Sequence, residues 1–501
     1  MTDVMSFIDG RRVQGGDATL TRRCPANHDR VVAEVALADA DTYVEACRVA
    51  QAAQPGWRDV PAPVRGTVIR RLGRLIEDNK EALARIMVTE IGKPIVEARG
   101  EVQEAIDTCD VFLGEGRRPS GHTVPSEMPD KHLFTYRRPV GVVAVTTAGN
   151  FPTAVPSWYL VPALLCGNAA VWKPAEYAAR TAAAFTELFV AAGVPAGVLN
   201  LVVADGPTTE NGLTRALDQG LVDKVGFTGS VEVGRRLGRL AGEHLQTACL
   251  ELGGKNPLVV LPDADLDLAA DAAVNAGFGS AGERCMAISA LVAVDPIGDE
   301  LVQRIVDRMG KLRTGDGRRG CDMGPLVTAA HRDRVASYLD IGAEEGATVA
   351  VDGRDVGDVD GDADGFWLKP SLLDHVTPTM RVYTDEIFGP VLSVLRASSY
   401  DEGLGLINAN PYGNGTAVFT NDGGAARRFR EEVQVGMIGI NVPIPVPMAY
   451  YSFGGWKASL FGDTHAHGAD GVHFYTRGKV VTSRWLDPSH GGLNLGFPQH
   501  D

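Results

Sequence analysis

Two residues of the sequence have the types and the setting that covalent thiol chemistry requires. Glu251 closes the apolar run Ala-Cys-Leu and precedes two glycines, and Cys285 ends the small-residue run Phe-Gly-Ser-Ala-Gly-Glu-Arg. A thiolate attacks an electrophilic carbon, and a carboxylate then activates water against the resulting thioester. Each residue alone has a plainer interpretation, because a cysteine among glycines is commonly a small buried side chain and a glutamate after a strand is commonly solvated.

Composition limits the kind of protein that presents this pair. The chain has 501 residues, 45% hydrophobic and 22% charged, with a formal charge of −15. That length predicts two or three domains, and the negative charge argues against a nucleic acid or an anionic membrane as partner. The longest uncharged stretch, 140–172, is interrupted by prolines, which argues against a transmembrane helix.

The cysteines and the N-terminus indicate a compartment. Seven cysteines are scattered without CxxC spacing, and the first residues lack the apolar region of a signal peptide. We therefore expect a cytoplasmic protein with reduced thiols and neither a disulfide framework nor a metal site.

Strand-like runs alternate with helical stretches between residues 140 and 252. Strands are predicted at 140–147, 169–173, 198–203, 224–228 and 248–252, and helices near 153–166, 180–192, 208–219 and 231–245. Continuous apolar strands separated by helices predict a parallel α/β sheet that is buried on both faces. Ligands bind at the carboxyl ends of such strands, so the polar and glycine residues that follow these runs are expected to converge.

The remaining segments surround this alternation. Helical periodicity covers 41–53 and 64–114, and a second alternation of strands and helices begins at Pro257. The segment 120–139 is polar with three prolines, whereas 472–485 is rich in β-branched and aromatic residues and is predicted to be a strand. These last two segments are expected to form a small sheet between subunits.

The corners after the strands also carry a resemblance to a known family. The motifs, in chain order, are Gly149-Asn-Phe-Pro, Trp172-Lys-Pro-Ala-Glu, Phe227-Thr-Gly-Ser, Glu251-Leu-Gly-Gly-Lys, Gly282-Glu-Arg-Cys and Glu386-Ile-Phe-Gly-Pro. With these motifs in the family's order and spacing, the chain resembles the aldehyde dehydrogenase superfamily over essentially its whole length. The resemblance implies an α/β fold with a parallel-sheet cofactor domain, an α/β catalytic domain and a small β oligomerisation arm.

The resemblance also implies how the chain is divided. The NAD-binding domain would comprise 1–119 and 140–253 together with 457–471, and the catalytic domain 254–456. The oligomerisation arm would comprise 120–139 and 472–488, which implies a homodimer or homotetramer.

Three catalytic roles follow from the resemblance. Cys285 would be the nucleophile and Glu251 the general base for water. The amide of Asn150 and the backbone N–H of Cys285 would stabilise the oxyanion that forms on the attacked aldehyde. The alternative interpretation of Asn150 is a turn residue before Phe-Pro.

The resemblance assigns cofactor binding to residues at three further corners. They are Lys173, Glu176, Gly229, Ser230, Glu386 and Phe388. The implied cofactor is NAD, with NADP possible, because the charge of Glu176 would repel a 2′-phosphate. The alternatives are a solvated turn at Lys173 and Glu176, a plain helix N-cap at Ser230 and an ordinary turn at Glu386.

The resemblance implies a small aldehyde as substrate and leaves its identity between alternatives. Arg284 is expected to bind a substrate carboxylate unless it forms a structural ion pair, and Tyr451 and Phe453 are expected to wall the aldehyde tunnel unless they are simply core. If Arg284 faces the site, the substrate is a small acidic semialdehyde.

His465 and His467 form a lone His-x-His, interpreted as surface residues and not metal ligands.

Two halves of the sequence favour different acyl acceptors. From Asn410 onwards the chain is most similar to methylmalonate-semialdehyde dehydrogenase, a group that transfers the acyl unit to CoA and generally lacks a glutamate at the position of Glu251. Because Glu251 bears on deacylation itself, hydrolysis to the carboxylate is the favoured prediction. The CoA-acylating reaction and a non-catalytic binding or structural member remain the alternatives.

Overall fold

The computed structural model describes residues 3–118, 120–128, 130–447, 449–485, 487–488 and 491–493. The predicted ranges 1–119, 120–139, 254–456 and 472–488 include residues 1, 2, 119, 129, 448 and 486, which lie outside the described residues.

The described residues form helices and strands that alternate over most of the chain. The strands are β1 (Asp3–Val4), β2 (Ser6–Ile8), β3 (Arg11–Val13), β4 (Thr19–Cys24), β5 (Asn27–Ala36), β6 (Thr123–Val124), β7 (Lys131–Pro139), β8 (Val142–Thr146), β9 (Ala169–Lys173), β10 (Leu199–Leu201), β11 (Lys224–Thr228), β12 (Thr247–Glu251), β13 (Asn256–Val260), β14 (Ile288–Val294), β15 (Thr348–Val351), β16 (Ser371–Asp374), β17 (Val391–Ala397), β18 (Tyr412–Gly413), β19 (Gly415–Phe419), β20 (Met437–Ile440), β21 (Trp456–Lys457), β22 (Leu460–Phe461) and β23 (Thr476–Arg484). The helices are α1 (Ala40–Asp59), α2 (Ala62–Asp78), α3 (Lys80–Ile91), α4 (Ile95–Leu113), α5 (Ala154–Leu165), α6 (Ala179–Ala192), α7 (Gly206–Asp218), α8 (Val231–Glu243), α9 (Leu266–Phe278), α10 (Gly298–Met309), α11 (Ala329–Glu344), α12 (Arg381–Thr384), α13 (Tyr400–Ala409), α14 (Gly423–Glu432) and α15 (Gly471–Phe474).

The predicted parallel sheet is confirmed as the centre of an eight-stranded sheet. Its order is β22-β12-β11-β8-β9-β10-β2-β3, and the five strands from β12 to β10 are mutually parallel. The side chains of β9 are all buried because hydrophobic clusters cover both faces of the sheet. Each fully buried Val or Leu contributes about 1.5–3 kcal/mol relative to exposure, so continuous apolar strands are stable only in such a layer.

The second alternation forms a seven-stranded sheet. Its order is β15-β16-β17-β14-β13-β19-β20, parallel except for the pairing of β15 with β16. The chain passes from the first sheet to the second between Glu251, the last residue of β12, and Asn256, the first residue of β13. Four residues, including Gly253 and Gly254, therefore connect the carboxyl end of one sheet to the other.

The third sheet joins the two segments expected to pair. β23 pairs antiparallel with β7 from Thr476 opposite Pro139 to Arg484 opposite Lys131, and β6 pairs with the other edge of β7. The predicted strand at 472–485 is wrong at its start, because residues 471–474 form α15. Phe474 and Tyr475 are buried, and a helical turn directs both into the core before the exposed strand begins.

Within the part of the chain that the structure describes, none of the helices has both the length and the apolar character needed to cross a bilayer.

Candidate active site

A chamber of about 840 Å³ lies where the carboxyl ends of the first sheet face the second sheet. Besides Phe453, its lining brings together seven residues that the sequence singled out. They are Asn150, Gly229, Ser230, Arg284, Cys285, Glu386 and Phe388. Because these residues lie up to 238 positions apart in the sequence, only the packing of both sheets places them in one cavity.

The loop that carries Cys285 has an unusual backbone. After α9, Ser280, Ala281 and Gly282 adopt φ values of 51°, 53° and 71°, in the left-handed region that L residues with a side chain seldom occupy. Successive left-handed residues reverse the chain sharply and direct Cys285 to the chamber wall. Such a conformation persists only where surrounding contacts hold it.

Glu97, on α4, supplies those contacts. Its Oε1 accepts a hydrogen bond of 2.8 Å from the backbone N–H of Ser280, and its Oε2 is bonded to the Ser280 hydroxyl. The same carboxylate forms an ion pair of 3.3 Å with the guanidinium of Arg284. The structural ion pair considered for Arg284 is therefore present. The same Glu97 carboxylate also binds the strained loop at Ser280.

Two asparagines hold the far side of the loop. The carbonyl oxygen of Cys285 accepts a hydrogen bond of 2.7 Å from Nδ2 of Asn256 and one of 3.1 Å from Nδ2 of Asn414. Asn256 begins β13 and Asn414 directly precedes β19, two neighbouring strands of the second sheet. The loop of Cys285 is thus fixed to that sheet by its backbone.

The Cys285 thiol is protonated at neutral pH. Burial raises its pKa to about 12, and the negative charges of Glu251 and Glu386 act in the same direction. A thiol with this pKa needs a base, or a change in its surroundings, before it can act as a nucleophile.

Glu251 lies buried at the end of β12, with only 7% of its surface exposed. Its Oε1 faces the Cys249 thiol at 3.8 Å, and its Oε2 has no hydrogen-bond partner among the described residues. Burial raises the pKa of the Glu251 carboxyl to about 8. A carboxyl group with this pKa changes its protonation state near neutral pH, as a general base does.

Asn150 is positioned by two hydrogen bonds, one from its side chain and one to its backbone. Its Nδ2 donates to the carbonyl of Glu283 at 2.9 Å, and its own carbonyl accepts a hydrogen bond of 2.8 Å from Lys93. Lys93 is itself held by a buried ion pair of 2.7 Å with Glu101. Nδ2 of Asn150 thus contacts the loop at Glu283, two residues before Cys285. The second N–H of the same amide group can donate to an oxyanion.

Three residues predicted to bind the cofactor lie at or just after the carboxyl ends of β9 and β11. Lys173 ends β9 and forms an ion pair of 3.1 Å with Glu176. Ser230 is the N-cap of α8 and accepts a hydrogen bond of 3.3 Å from the N–H of Val233. The cap leaves the other N–H groups of the first turn of α8 available to an anion.

Glu386 lies between α12 and β17 and contacts the segment that connects the two sheets. Its Oε1 accepts a hydrogen bond of 2.9 Å from the N–H of Gly254, and its carboxyl also lies against Gly253, where a Cβ would collide with it. Burial raises the pKa of Glu386. Phe388 follows with a left-handed φ of 57°, and its carbonyl lies 2.7 Å from Nε2 of His331.

The aromatic residues expected in the substrate tunnel separate into two groups. Phe453 is buried, lines the chamber and packs against Trp158 with ring centroids 5.0 Å apart. Tyr451 is 69% exposed and is absent from the chamber lining, so its expected place in the tunnel is not observed. Its ring packs edge-on against that of Tyr450 at 6.1 Å, on the outer side of the turn.

Sequence reasoning missed the residues that hold Asn150 and the loop of Cys285. Glu97, Lys93, Asn256 and Asn414 each act through hydrogen bonds to residues far away in the chain. Asn414 lies between two glycines, which is a weak signal, whereas nothing in the helical pattern around Glu97 distinguishes it from a surface carboxylate.

Comparison with known proteins identifies the class. The model of the Aldehyde dehydrogenase family matches residues 13–481. A malonate-semialdehyde dehydrogenase from Pseudomonas aeruginosa is 44% identical over 469 residues, which cover 93% of each chain.

Solved structures agree over the whole length. Methylmalonate-semialdehyde dehydrogenase from Oceanimonas doudoroffii superposes with a TM-score of 0.94 at 39% identity, covering 98% of this chain and 99% of that one. Betaine aldehyde dehydrogenase from Staphylococcus aureus, in complex with NAD⁺, gives a TM-score of 0.92 at 30% identity, covering 99% and 97%. The chain belongs to the aldehyde dehydrogenase family and is an oxidoreductase of that family.

Proposed function

We propose that this protein oxidises a small semialdehyde to the carboxylate with NAD, through a thioester on Cys285 that water hydrolyses. The observation that carries the proposal is the placement of Cys285 and Asn150 in one chamber, with the charge of Glu251 near enough to raise the pKa of the thiol. Nucleophile, oxyanion donor and base are the three groups that acyl chemistry on a thiol needs.

The first half of the reaction forms the covalent bond. The S–H bond of Cys285 breaks and its proton passes to solvent water. The sulfur then forms a bond to the aldehyde carbon, and the electron pair of the C=O double bond moves to the oxygen, which creates an oxyanion. The amide of Asn150 and the backbone N–H of Cys285 stabilise that charge, because both are fixed before the substrate arrives. Their preorganisation rests on the hydrogen bonds that hold Asn150 and the nucleophile loop.

The proposed cofactor site fits a dinucleotide. The available N–H groups at the start of α8 suit a pyrophosphate, and the Lys173–Glu176 pair at the next strand end suits a ribose diol. Glu386, on the opposite wall, would hold the second ribose, with Phe388 beside it. When bound, NAD supplies the hydride acceptor for the carbon attached to Cys285.

The second half of the reaction releases the product. Glu251 removes a proton from water, which attacks the thioester and frees the carboxylate and the thiol. The raised pKa of Glu251 favours this role, because a stronger base removes the proton more readily at a pH where it is still partly ionised.

The assignment of the substrate rests on similarity to the semialdehyde dehydrogenases and on one side chain. Arg284 lines the chamber with about a quarter of its side chain exposed, although Glu97 pairs with it. A substrate carboxylate would share this guanidinium, whose donors can serve more than one acceptor.

One alternative acyl acceptor has a specific observation in its favour. The chain is 44% identical to a malonate-semialdehyde dehydrogenase and 39% identical to a methylmalonate-semialdehyde dehydrogenase. The similarity of the C-terminal half to the second of these implies transfer of the acyl group to CoA. A buried base at position 251 favours water instead.

The sheets suggest how the chain is divided. We propose that 1–119 and 140–253 with 457–471 form the NAD-binding domain, and 254–456 the catalytic domain. The proposed oligomerisation arm, 120–139 with 472–488, exposes apolar side chains on its described strands. Val124 is 51%, Phe134 38% and Val480 74% exposed, which would suit contact with a second copy.

The deciding experiment measures NAD reduction on a panel of short semialdehydes with and without CoA, and identifies the acyl product by mass. Free acid at a rate that CoA does not change supports the proposal. Turnover only with CoA, giving acyl-CoA, shows that the alternative is correct. No NAD reduction with any member of the panel overturns both.

A further inference from the structure

The loop between β22 and α15 places a histidine next to the proposed base. A Cβ on Gly454 would lie 2.5 Å from Nε2 of His465 and 3.2 Å from Oε1 of Glu251. The two side chains are therefore neighbours across a residue that has no side chain of its own. His467, expected at the surface, is instead buried and stacks on Trp158 at 4.9 Å.

The other ring nitrogen of His465 fixes its tautomer. Nδ1 lies 2.8 Å from Oδ2 of Asp470, and a carboxylate only accepts hydrogen bonds. The proton of a neutral imidazole is therefore on Nδ1, which leaves the lone pair of Nε2 on the side of Glu251. The Asp470 backbone N–H donates to the hydroxyl of Ser452 at 3.3 Å and fixes the acid.

Exposure increases along these three side chains. Glu251 is buried, the His465 side chain is 25% exposed and the Asp470 side chain is 42% exposed. The row thus leads from the interior of the protein to its surface.

The proposed hydrolysis creates a need for such a row. Each turnover leaves the proton of water on Glu251, which has to lose it before the next turnover. The described contact of Glu251, the thiol of Cys249, is itself buried, and burial together with the charge of Glu251 raises its pKa. Cys249 therefore does not carry the proton away.

We propose that His465 and Asp470 form a proton relay that returns Glu251 to its ionised form. The O–H bond of the Glu251 carboxyl breaks and an N–H bond forms at Nε2 of His465. The imidazolium, which Asp470 stabilises through Nδ1, then releases the Nε2 proton to solvent and returns to its neutral Nδ1–H form. No electron is transferred. The relay rests on the proposed hydrolytic function, since acyl transfer to CoA would not place water's proton on Glu251.

His465→Asn tests the relay, because the Asn amide retains a donor toward Asp470 but has no group that titrates. Stopped-flow measurement of NADH separates the burst, which reports thioester formation, from the steady state, which reports hydrolysis. We expect an unchanged burst and a steady-state rate reduced by about 100-fold, the lower end of the loss expected for a removed proton-transfer group. Added imidazole is expected to restore the rate in proportion to its concentration.

His473→Gln is the matched control, because His473 is an exposed histidine on the adjacent α15. It is expected to leave both phases unchanged. Asp470→Asn is expected to slow the steady state less than His465→Asn does.

Two results would overturn the relay alone: a wild-type steady-state rate in His465→Asn, or an equal loss of burst and steady state that imidazole does not restore. Wild-type turnover that requires CoA would overturn the hydrolytic function together with the relay, and that result appears before any variant is made.

Discussion

Glu251 lies at the end of a regular strand, whereas Cys285 lies in a loop that is left-handed at three successive residues. The strand sets the position of the carboxylate through ladder hydrogen bonds to its neighbours, and no special backbone is needed. The loop depends on contacts from elsewhere in the chain, chiefly Glu97, Asn256 and Asn414. Secondary structure therefore positions the proposed base, whereas tertiary contacts position the proposed nucleophile.

Removing the nucleophile should have the largest effect. Cys285→Ala leaves no atom that can hold the acyl group, so NAD reduction is expected to fall by at least about 10⁴-fold. Stopped-flow absorbance measures the loss of both burst and steady state. Cys321→Ala is the matched control, because burial also raises the pKa of that thiol to about 12 but Cys321 lies outside the chamber. Substantial turnover in Cys285→Ala would refute the covalent mechanism.

Removing the base should affect one half of the reaction only. Glu251→Gln is expected to keep the NADH burst and to lower the steady-state rate by about 10²- to 10⁴-fold. Mass spectrometry should then show the acyl group retained on the protein. Glu283→Gln is a close control, because burial raises its pKa to about 8 as well, yet its carboxyl faces His331 and the N–H of Val327. A burst lost together with the steady state would place Glu251 in the activation of Cys285.

The pH profile should separate the two groups further. Because the ionised form of Glu251 is the proposed base and burial raises its pKa to about 8, hydrolysis is expected to rise about tenfold per pH unit below 8 and to level off above it. The measurement is the steady-state rate at pH values from about 6 to about 10. In Glu251→Gln this step in the profile should disappear. A rate that is flat from pH 6 to about 8 would show that another group limits turnover.

Loosening the loop should have the smallest effect. Glu97→Gln removes the charge that pairs with Arg284 and weakens the bonds to Ser280, so we expect a loss of about 1–3 kcal/mol in the free energy of unfolding. Turnover should fall by no more than about tenfold, since every reacting group remains. Urea unfolding and steady-state rates measure the two effects. Glu81→Gln is the control, because Glu81 is an exposed carboxylate on α3 that also pairs with arginines.

Much of the fold was predictable from local patterns. The predicted strands at 169–173 and 224–228 coincide with β9 and β11, because a continuous apolar run bounded by turn residues has few other stable conformations. The error at 472–475 occurred where two aromatic residues fit a strand by type but are buried as a helical turn. Local preference does not reveal which side of the chain will be covered.

The sequence by itself determined the alternation of strands and helices, the motifs at the strand ends and the family they define. Only the tertiary structure decided that Arg284 is paired with Glu97, that Tyr451 lies outside the chamber and that His465 lies beside Glu251. The physical reason is the range of the interactions. Periodic burial and turn chemistry act over a few residues and are written in the local sequence, whereas these contacts join segments that are at least 187 residues apart or depend on which face of a turn is covered.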